Sequence, residues 1–338
     1  MKKQIIFLLL SLLGCFNLNA QDPHFSQYFM APQFVNPAII GSNSTDWRLM
    51  CNWRQQWGNA QTPFNTQSFE FDTKILGKET SEDIIQNTLA VGGALMLDQS
   101  MYGAFKSTYA LGTVAYHAHL TENQTIGLGV EAMYANRTID YSRLTFGEQF
   151  TSGGFDVTLP TGEKTLIDKS SYFSLSAGLL YTFNNDIFNV NIGASAFHLN
   201  KPKQTFLDDP KQILPIRYLA HINTEFYASD RLSVNLNGCY QEQSLPAYFA
   251  VGGALGWDAN PEKTSTLYAG AWFREGDSFY PYVGWLVNNV QVGFSYDITH
   301  SKQNLGPSVP RSFEVSLVIT KKDDPERRLG TGCPNKPW

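Results

Sequence analysis

From residue 47 onward the chain is written largely in a period of two. Between Phe188 and Ala196, the residues Phe188, Val190, Ile192, Ala194 and Ala196 share one face, while Asn189, Asn191, Gly193 and Ser195 share the other. Leu232 to Gln241 and Val290 to Ile298 alternate in the same way. Near the end, Phe313, Val315, Leu317 and Ile319 oppose Glu314, Ser316 and Val318. Alternation of this kind marks a strand whose two faces meet unlike surroundings. Segments of this character predict strands over 47–57, 66–76, 88–99, 105–119, 124–138, 172–183 and 187–198. A second group covers 216–228, 231–243, 247–257, 265–275, 278–287, 289–299 and 312–320, which makes fourteen in all.

The connections alternate as well. Residues 121–123, 184–186, 229–231 and 287–289 are tight polar turns, whereas 139–171, 201–215 and 300–310 are long. Short turns at one rim and long loops at the other are the habit of outer-membrane barrels, with the short side in the periplasm. The 77–87 connection departs from this by being long on the short side. The 139–171 loop is long enough to fold over the barrel mouth as a cap or partner surface.

Composition narrows the choice between a barrel and a secreted β-sandwich. Aromatic residues make up 14% of the chain and charged residues only 16%, below the quarter or so usual in soluble domains. In the 173–183 strand the outward set is Phe173, Leu175, Ala177, Leu179, Tyr181 and Phe183, with aromatics at both ends where interfacial girdles lie. The reading is therefore all-β: a 14-stranded antiparallel transmembrane β-barrel with an N-terminal plug segment. A sandwich would alternate too, but needs no aromatic bands at membrane height.

The first twenty residues, with Lys2 and Lys3 before an apolar core and Leu18-Asn19-Ala20 at its end, have the layout of a signal peptide (1–20). Leu12-Leu13-Gly14-Cys15 is a partial lipoprotein box and an alternative cleavage point. The remaining units are a plug at 21–46, the barrel at 47–320 and a charged periplasmic tail at 321–338, with both termini periplasmic. The net charge of −5 and the lack of any basic stripe exclude a nucleic-acid partner on electrostatic grounds. Cys51, Cys239 and Cys333 have neither zinc spacing nor the spacing of a disulfide framework.

The inward faces hold the candidate chemistry. Arg48 and Arg54 lie on the polar face of the first strand, and Glu70 and Asp72 on that of the second, within reach of each other in a hairpin. Glu131, Arg217, Glu225, Asp297 and Glu314 also point inward, as do His221 and Asn223. These charges predict a network bracing the lumen, with a transport site as the alternative. His117 and His119 share a strand face but lack a third metal ligand nearby, and Ser107 on the same strand does not by itself complete a nucleophilic constellation. No catalytic residue, metal or cofactor is expected, and no enzymatic activity.

The opening stretch, DPHFSQYFMAPQFVNPAIIG (22–41), carries three prolines that unfit it for a barrel strand and aromatics that need burial. It is expected to fold inside or across the periplasmic mouth. Asp22-Pro23, Phe25-Ser26-Gln27-Tyr28, Pro32, Asn36-Pro37-Ala38 and Gly41, followed by Arg54-Gln55-Gln56-Trp57, resemble the PorP/SprF family of outer-membrane proteins; the last strand and Cys333-Pro334 look like the family too. That resemblance implies a barrel of the type IX secretion and gliding machinery, supporting export or surface attachment of a large secreted protein such as an adhesin. The partners it implies are cargo with a carboxy-terminal sorting domain, periplasmic and lipoprotein components of the machine, and outer-membrane lipid. Asn36-Pro37-Ala38 also resembles the plug turn of the long-chain fatty-acid transporter type of barrel, which implies instead a channel for a hydrophobic small molecule.

Overall fold

A strand facing lipid has no water for its backbone N–H and C=O groups, so alternating strands in a membrane must close on one another. The computed structural model describes residues 22–58, 62–76, 87–163, 167–206, 211–244, 247–260, 264–300 and 310–321. The strands are β1 (Trp47–Gln56), β2 (Phe64–Leu76), β3 (Thr88–Ser100), β4 (Phe105–Thr121), β5 (Gln124–Ile139), β6 (Phe150–Thr151), β7 (Gly154–Phe155) and β8 (Lys169–Asn184). They continue as β9 (Phe188–Phe197), β10 (Arg217–Ser229), β11 (Leu232–Gln243), β12 (Ala247–Asp258), β13 (Ser265–Arg274), β14 (Ser278–Val287), β15 (Val290–Thr299) and β16 (Arg311–Thr320). All but β6 and β7 form one closed antiparallel barrel of fourteen strands, sealed where β1 pairs with β16.

The strands match those read from the alternation to within a few residues. The difference is the 140–163 stretch, where β6 and β7 pair as a small hairpin between 3₁₀ turns at Tyr141–Arg143 and Gly147–Gln149. This loop folds on itself, with Gln149 Nε2 donating to the Leu159 carbonyl, and leans on its neighbour through Arg143 Nη1 and the Tyr102 carbonyl. The expected signal peptide, the tail beyond residue 321, Cys15 and Cys333 lie outside the described residues, as do 77–86 and 301–309.

Burial follows the pleat. In β8 Ser170, Tyr172, Ser174, Ser176, Gly178, Leu180 and Thr182 are buried while Phe173, Leu175 and Leu179 are exposed. Summed around the wall, the outer face exposes Leu95, Val114, Leu128, Val130, Leu255, Val283 and Phe294, an apolar belt far beyond what a water-facing monomer tolerates. Outward aromatics flank it: Tyr116, Phe226, Trp257 and Trp285 toward one rim, Trp53, Tyr134, Tyr218, Phe249 and Phe279 toward the other. Arginine at the centre of this belt, as in Phe294→Arg, is expected to lower barrel stability by about 2–4 kcal/mol. Reversible unfolding in liposomes measures it.

Trp47 and Lys321 meet at the short-turn rim, where the Lys321 N–H donates to the Trp47 carbonyl (3.1 Å). The chain before β1 never joins the wall. Residues 22–41 descend through the interior from the long-loop rim to the short-turn rim in three 3₁₀ turns, Tyr28–Met30, Pro32–Phe34 and Pro37–Ile39. Pro32 and Pro37 open two of these turns, where a missing N–H costs nothing, and Asn36 Oδ1 caps the third by accepting from the Ala38 N–H (2.9 Å).

The barrel's core forms around this segment. Tyr28, Phe29, Met30 and Val35 cluster with Met50, Trp272, Tyr280 and Tyr282, while Phe25 and Ala31 cluster with Met96, Tyr109, Met133 and Tyr172. Ile40 packs on Ala90 and Ala115 lower down. The segment thus spans the height of the lumen rather than closing the short-turn mouth alone, because apolar partners await it at every level. Its described amino end, Asp22, lies at the rim opposite Trp47 and Lys321.

Candidate functional site

The interior segment and the side chains that hold it are the most elaborate polar assembly among the described residues. At the long-loop rim the Asp22 N–H donates to Gln243 Oε1 (3.1 Å), and the Asp22 carboxylate lies 2.7 Å from His198 Nε2 and 3.4 Å from Arg217 Nε. Burial alone would push the Asp22 carboxyl up; the bonded His198 imidazole and the Arg217 guanidinium reverse this and hold it well below the usual carboxylate range. A carboxyl depressed in the folded state contributes stability above its unfolded value, and that stability is lost only as pH falls through the lower folded value. The clasp of Asp22 is therefore expected to survive mild acid. Protease access at residues 22–28 should stay unchanged from neutral pH to about pH 5 in the native chain and rise in Asp22→Asn.

One step further in, His24 Nε2 lies 3.1 Å from Arg274 Nη1. Ser26 and Gln27 meet a buried group of charges: Arg54 bridges Asp297 (3.0 Å) and Glu314 (3.5 Å), and its Nη1 reaches Ser26 Oγ. Glu314 accepts the Ser26 and Gln27 N–H groups (2.7 and 3.2 Å), and Ser26 Oγ donates to Asp297 (2.7 Å). At mid-height Phe29 stacks on Trp272 with centroids 4.7 Å apart, and Asn52 Nδ2 donates to the Met30 carbonyl. The Gln33 N–H donates to Glu70 (3.0 Å), and its carboxamide bonds the Phe71 and Gly93 carbonyls and Thr113.

Lower down, Asn36 Nδ2 donates to the Leu179 carbonyl (2.9 Å) beside His221 Nε2 (3.1 Å). Three inward glycines on adjacent strands make room here. A Cβ on Gly129 would lie 2.3 Å from the Pro37 carbonyl carbon, one on Gly178 1.9 Å from Asn36 Oδ1, and one on Gly193 2.6 Å from Asn36 Nδ2. Ala38 is fully buried in this cradle. His117 Nε2 bonds the Ile40 carbonyl (2.8 Å), and Gly41, at φ +70°, turns the chain against Ala90.

The charges named from sequence divide accordingly. Arg48 pairs with Asp72 (3.0 Å) as hairpin register requires. Arg54, however, turns to β15 and β16 rather than to β2, and Glu70 is taken by Gln33. The hairpin proximity expected of this set of four thus holds for Arg48 and Asp72, while Arg54 and Glu70 serve contacts across the closing strands and the segment's own N–H groups, which need acceptors once out of water. Arg217 joins Asp22 and lies over Phe197 (4.1 Å), Glu131 accepts from Ser176, and Glu225 accepts from Tyr227. Asn52, His117, Ser195 and His198 also hold the segment, and none of them was expected from the sequence to do so. For Asn52, His117 and Ser195 the only signal is a polar residue at an inward strand position; His198, just past β9, carries none.

Ser174, His198 and Asp22 form a chain of contacts (2.8 and 2.7 Å) in the order nucleophile, base, acid. Ser174 is wholly buried, and the chain of contacts anchors the Asp22 end of the segment. His117 and His119 belong to no metal-holding group of His, Cys, Asp and Glu among the described residues. A cavity against Pro23, His24, Tyr28, Arg217 and Tyr248 has a volume of about 30 Å³. It accommodates water but not a ring.

The family described as type IX secretion system membrane protein PorP/SprF matches residues 17–319. No curated protein sequence matches. Among solved structures the chain is similar to the Ralstonia pickettii toluene transporter TbuX (TM-score 0.52, 11% identity, 87% of this chain and 94% of that one). It is also similar to a Pseudomonas aeruginosa FadL homologue (TM-score 0.51, 9% identity, 85% of this chain and 92% of that one). At such identities the likeness is one of fold.

Proposed function

Because the chain belongs to the PorP/SprF family of type IX secretion system membrane proteins, we propose that it supports export or surface attachment of a large secreted protein without conducting that protein through its own lumen. Its place as an outer-membrane barrel of that system follows from the family and the fold. The observation that carries the rest is the filled interior: residues 22–41 occupy the barrel from rim to rim, bonded to its wall at every level. A folded protein has no path through such a barrel, so residues 22–41 act as a standing plug and cargo engages the rims and loops instead.

With the short-turn rim on the periplasmic side, as is the barrel habit, the end of β16 is available to the periplasmic and lipoprotein partners of the machine. The exposed Phe150, Phe155 and Val157 in the 140–163 loop then face outward, toward a cargo bearing a carboxy-terminal sorting domain, an adhesin being one such cargo. The protein works by contact and performs no reaction.

Deleting the gene is expected to remove a specific protein from the cell surface or shed it into the medium, and affinity purification with mass spectrometry should recover that protein. Unchanged surface and medium proteomes overturn the proposal. Co-purification of an aromatic or acyl ligand with the barrel would favour the hydrophobic-channel reading, against which the charged lumen stands.

A further inference from the structure

Thirteen of the fourteen junctions in the barrel wall join barrel strands that come next to one another along the chain, β5 and β8 through the loop that carries β6 and β7. The fourteenth, β1 against β16, joins the two ends of the barrel and is the one no hairpin holds in register. Closing it sets Arg54 opposite Glu314, Asn52 opposite Ser316 and Cys51 opposite Leu317. Contacts so far apart along the chain are the slowest to form and carry the largest loop-closure cost.

The Phe25-Ser26-Gln27-Tyr28 motif lies on the inside of this junction. Gln27 Nε2 donates to Ser295 Oγ on β15 (3.1 Å) and to the Glu314 carbonyl on β16 (3.0 Å), while its Oε1 accepts from Ser316 Oγ (2.6 Å). The Ser26 and Gln27 N–H groups both donate to the Glu314 carboxylate. From the other side of the junction Arg54, on β1, reaches Glu314, Asp297 and Ser26 together. Gly293 on β15 leaves the space for this: a Cβ there would stand 2.8 Å from Gln27 Oε1. Gln27 is wholly buried, and its carboxamide lies over β15 and β16 as a third backbone would.

We propose that Ser26-Gln27, acting with Arg54, is a clasp that binds β16 from within and holds the β1–β16 junction shut, so that the barrel closes only around its threaded amino-terminal segment. The segment enters the wall at β1, and its Ser26-Gln27 end returns to bind the last two strands. Closure and threading are therefore one event. This assigns the motif an assembly role independent of which cargo the protein serves.

The test uses the full-length chain exported to the outer membrane, with closure read as the compact, heat-modifiable band on gels run without boiling and as trypsin resistance. Gln27→Ala and Glu314→Gln are expected to lose most of the compact band. Leu317→Cys places a thiol opposite the native Cys51 on the lipid face, at a separation a disulfide spans. That staple is expected to restore the compact band to Gln27→Ala, and reduction of the disulfide to abolish the rescue. A segment variant away from the junction, Asn36→Ala, gains no such rescue. The proposal is overturned if Gln27→Ala and Glu314→Gln keep the full compact band, if the staple forms without restoring it, or if the staple restores Asn36→Ala equally.

Discussion

Arg54→Ala is expected to lower barrel stability by about 3–5 kcal/mol, the largest effect of any single side-chain truncation in the lumen. The guanidinium is buried between Asp297 and Glu314, and both carboxylates already bind the interior segment. Removing the cation leaves two like charges facing each other without water, which costs far more than the pair contributed when intact. Arg48→Ala, by contrast, strands a single carboxylate, Asp72, so its effect should be the smaller of the two.

If the loss comes from uncompensated charge, adding Asp297→Asn and Glu314→Gln to Arg54→Ala should recover part of it, because neutral carboxamides tolerate burial where carboxylates do not. The unfolding midpoint in urea, read from intrinsic tryptophan fluorescence, measures each variant. A triple variant less stable than Arg54→Ala would show that Arg54 acts through packing rather than charge.

The contrast between Arg48 and Arg54 also shows what a sequence can reveal about such a lumen. Arg48 sits on a hairpin, so counting back from the turn finds Asp72, and the ion pair is where local register puts it. Arg54 answers to the β1–β16 junction, whose register no turn encodes, so Asp297 and Glu314 are unreadable as its partners until the barrel is closed. The wall itself was legible because lipid on one face and a polar, packed lumen on the other impose a strict period of two. Residues 22–41 were legible as something other than a strand, through Pro32, Pro37 and buried aromatics. Their path was not. Backbone N–H groups such as those of Ser26 and Gln33 carry no sequence signature, yet their need for Glu314 and Glu70 fixes where the segment runs.

Gly178→Val is expected to produce the other large effect, through shape alone. Even one carbon at this position would lie 1.9 Å from Asn36 Oδ1 and 3.1 Å from Pro37 Cδ, and neither can yield. Pro37 is fixed by its ring, and it sits against Gly129 on the neighbouring strand, where a Cβ would already touch its carbonyl carbon. Asn36 is committed on both ends of its carboxamide, to the Ala38 N–H and to the Leu179 carbonyl. Overpacking of this kind costs about 1–3 kcal/mol where the surroundings adjust, and more where they cannot. The segment is therefore expected to leave its cradle rather than deform it. Two readouts follow: new protease cleavage between residues 28 and 41, and ion conductance in planar bilayers above that of the native chain. Gly112→Val is the matched control, since Gly112 faces lipid with nothing within 4 Å of the added carbon and should change neither. Native conductance and cleavage in Gly178→Val would mean that the glycine cradle does not seat the segment, and that the polar contacts at Gln27 and Gln33 hold it in place unaided.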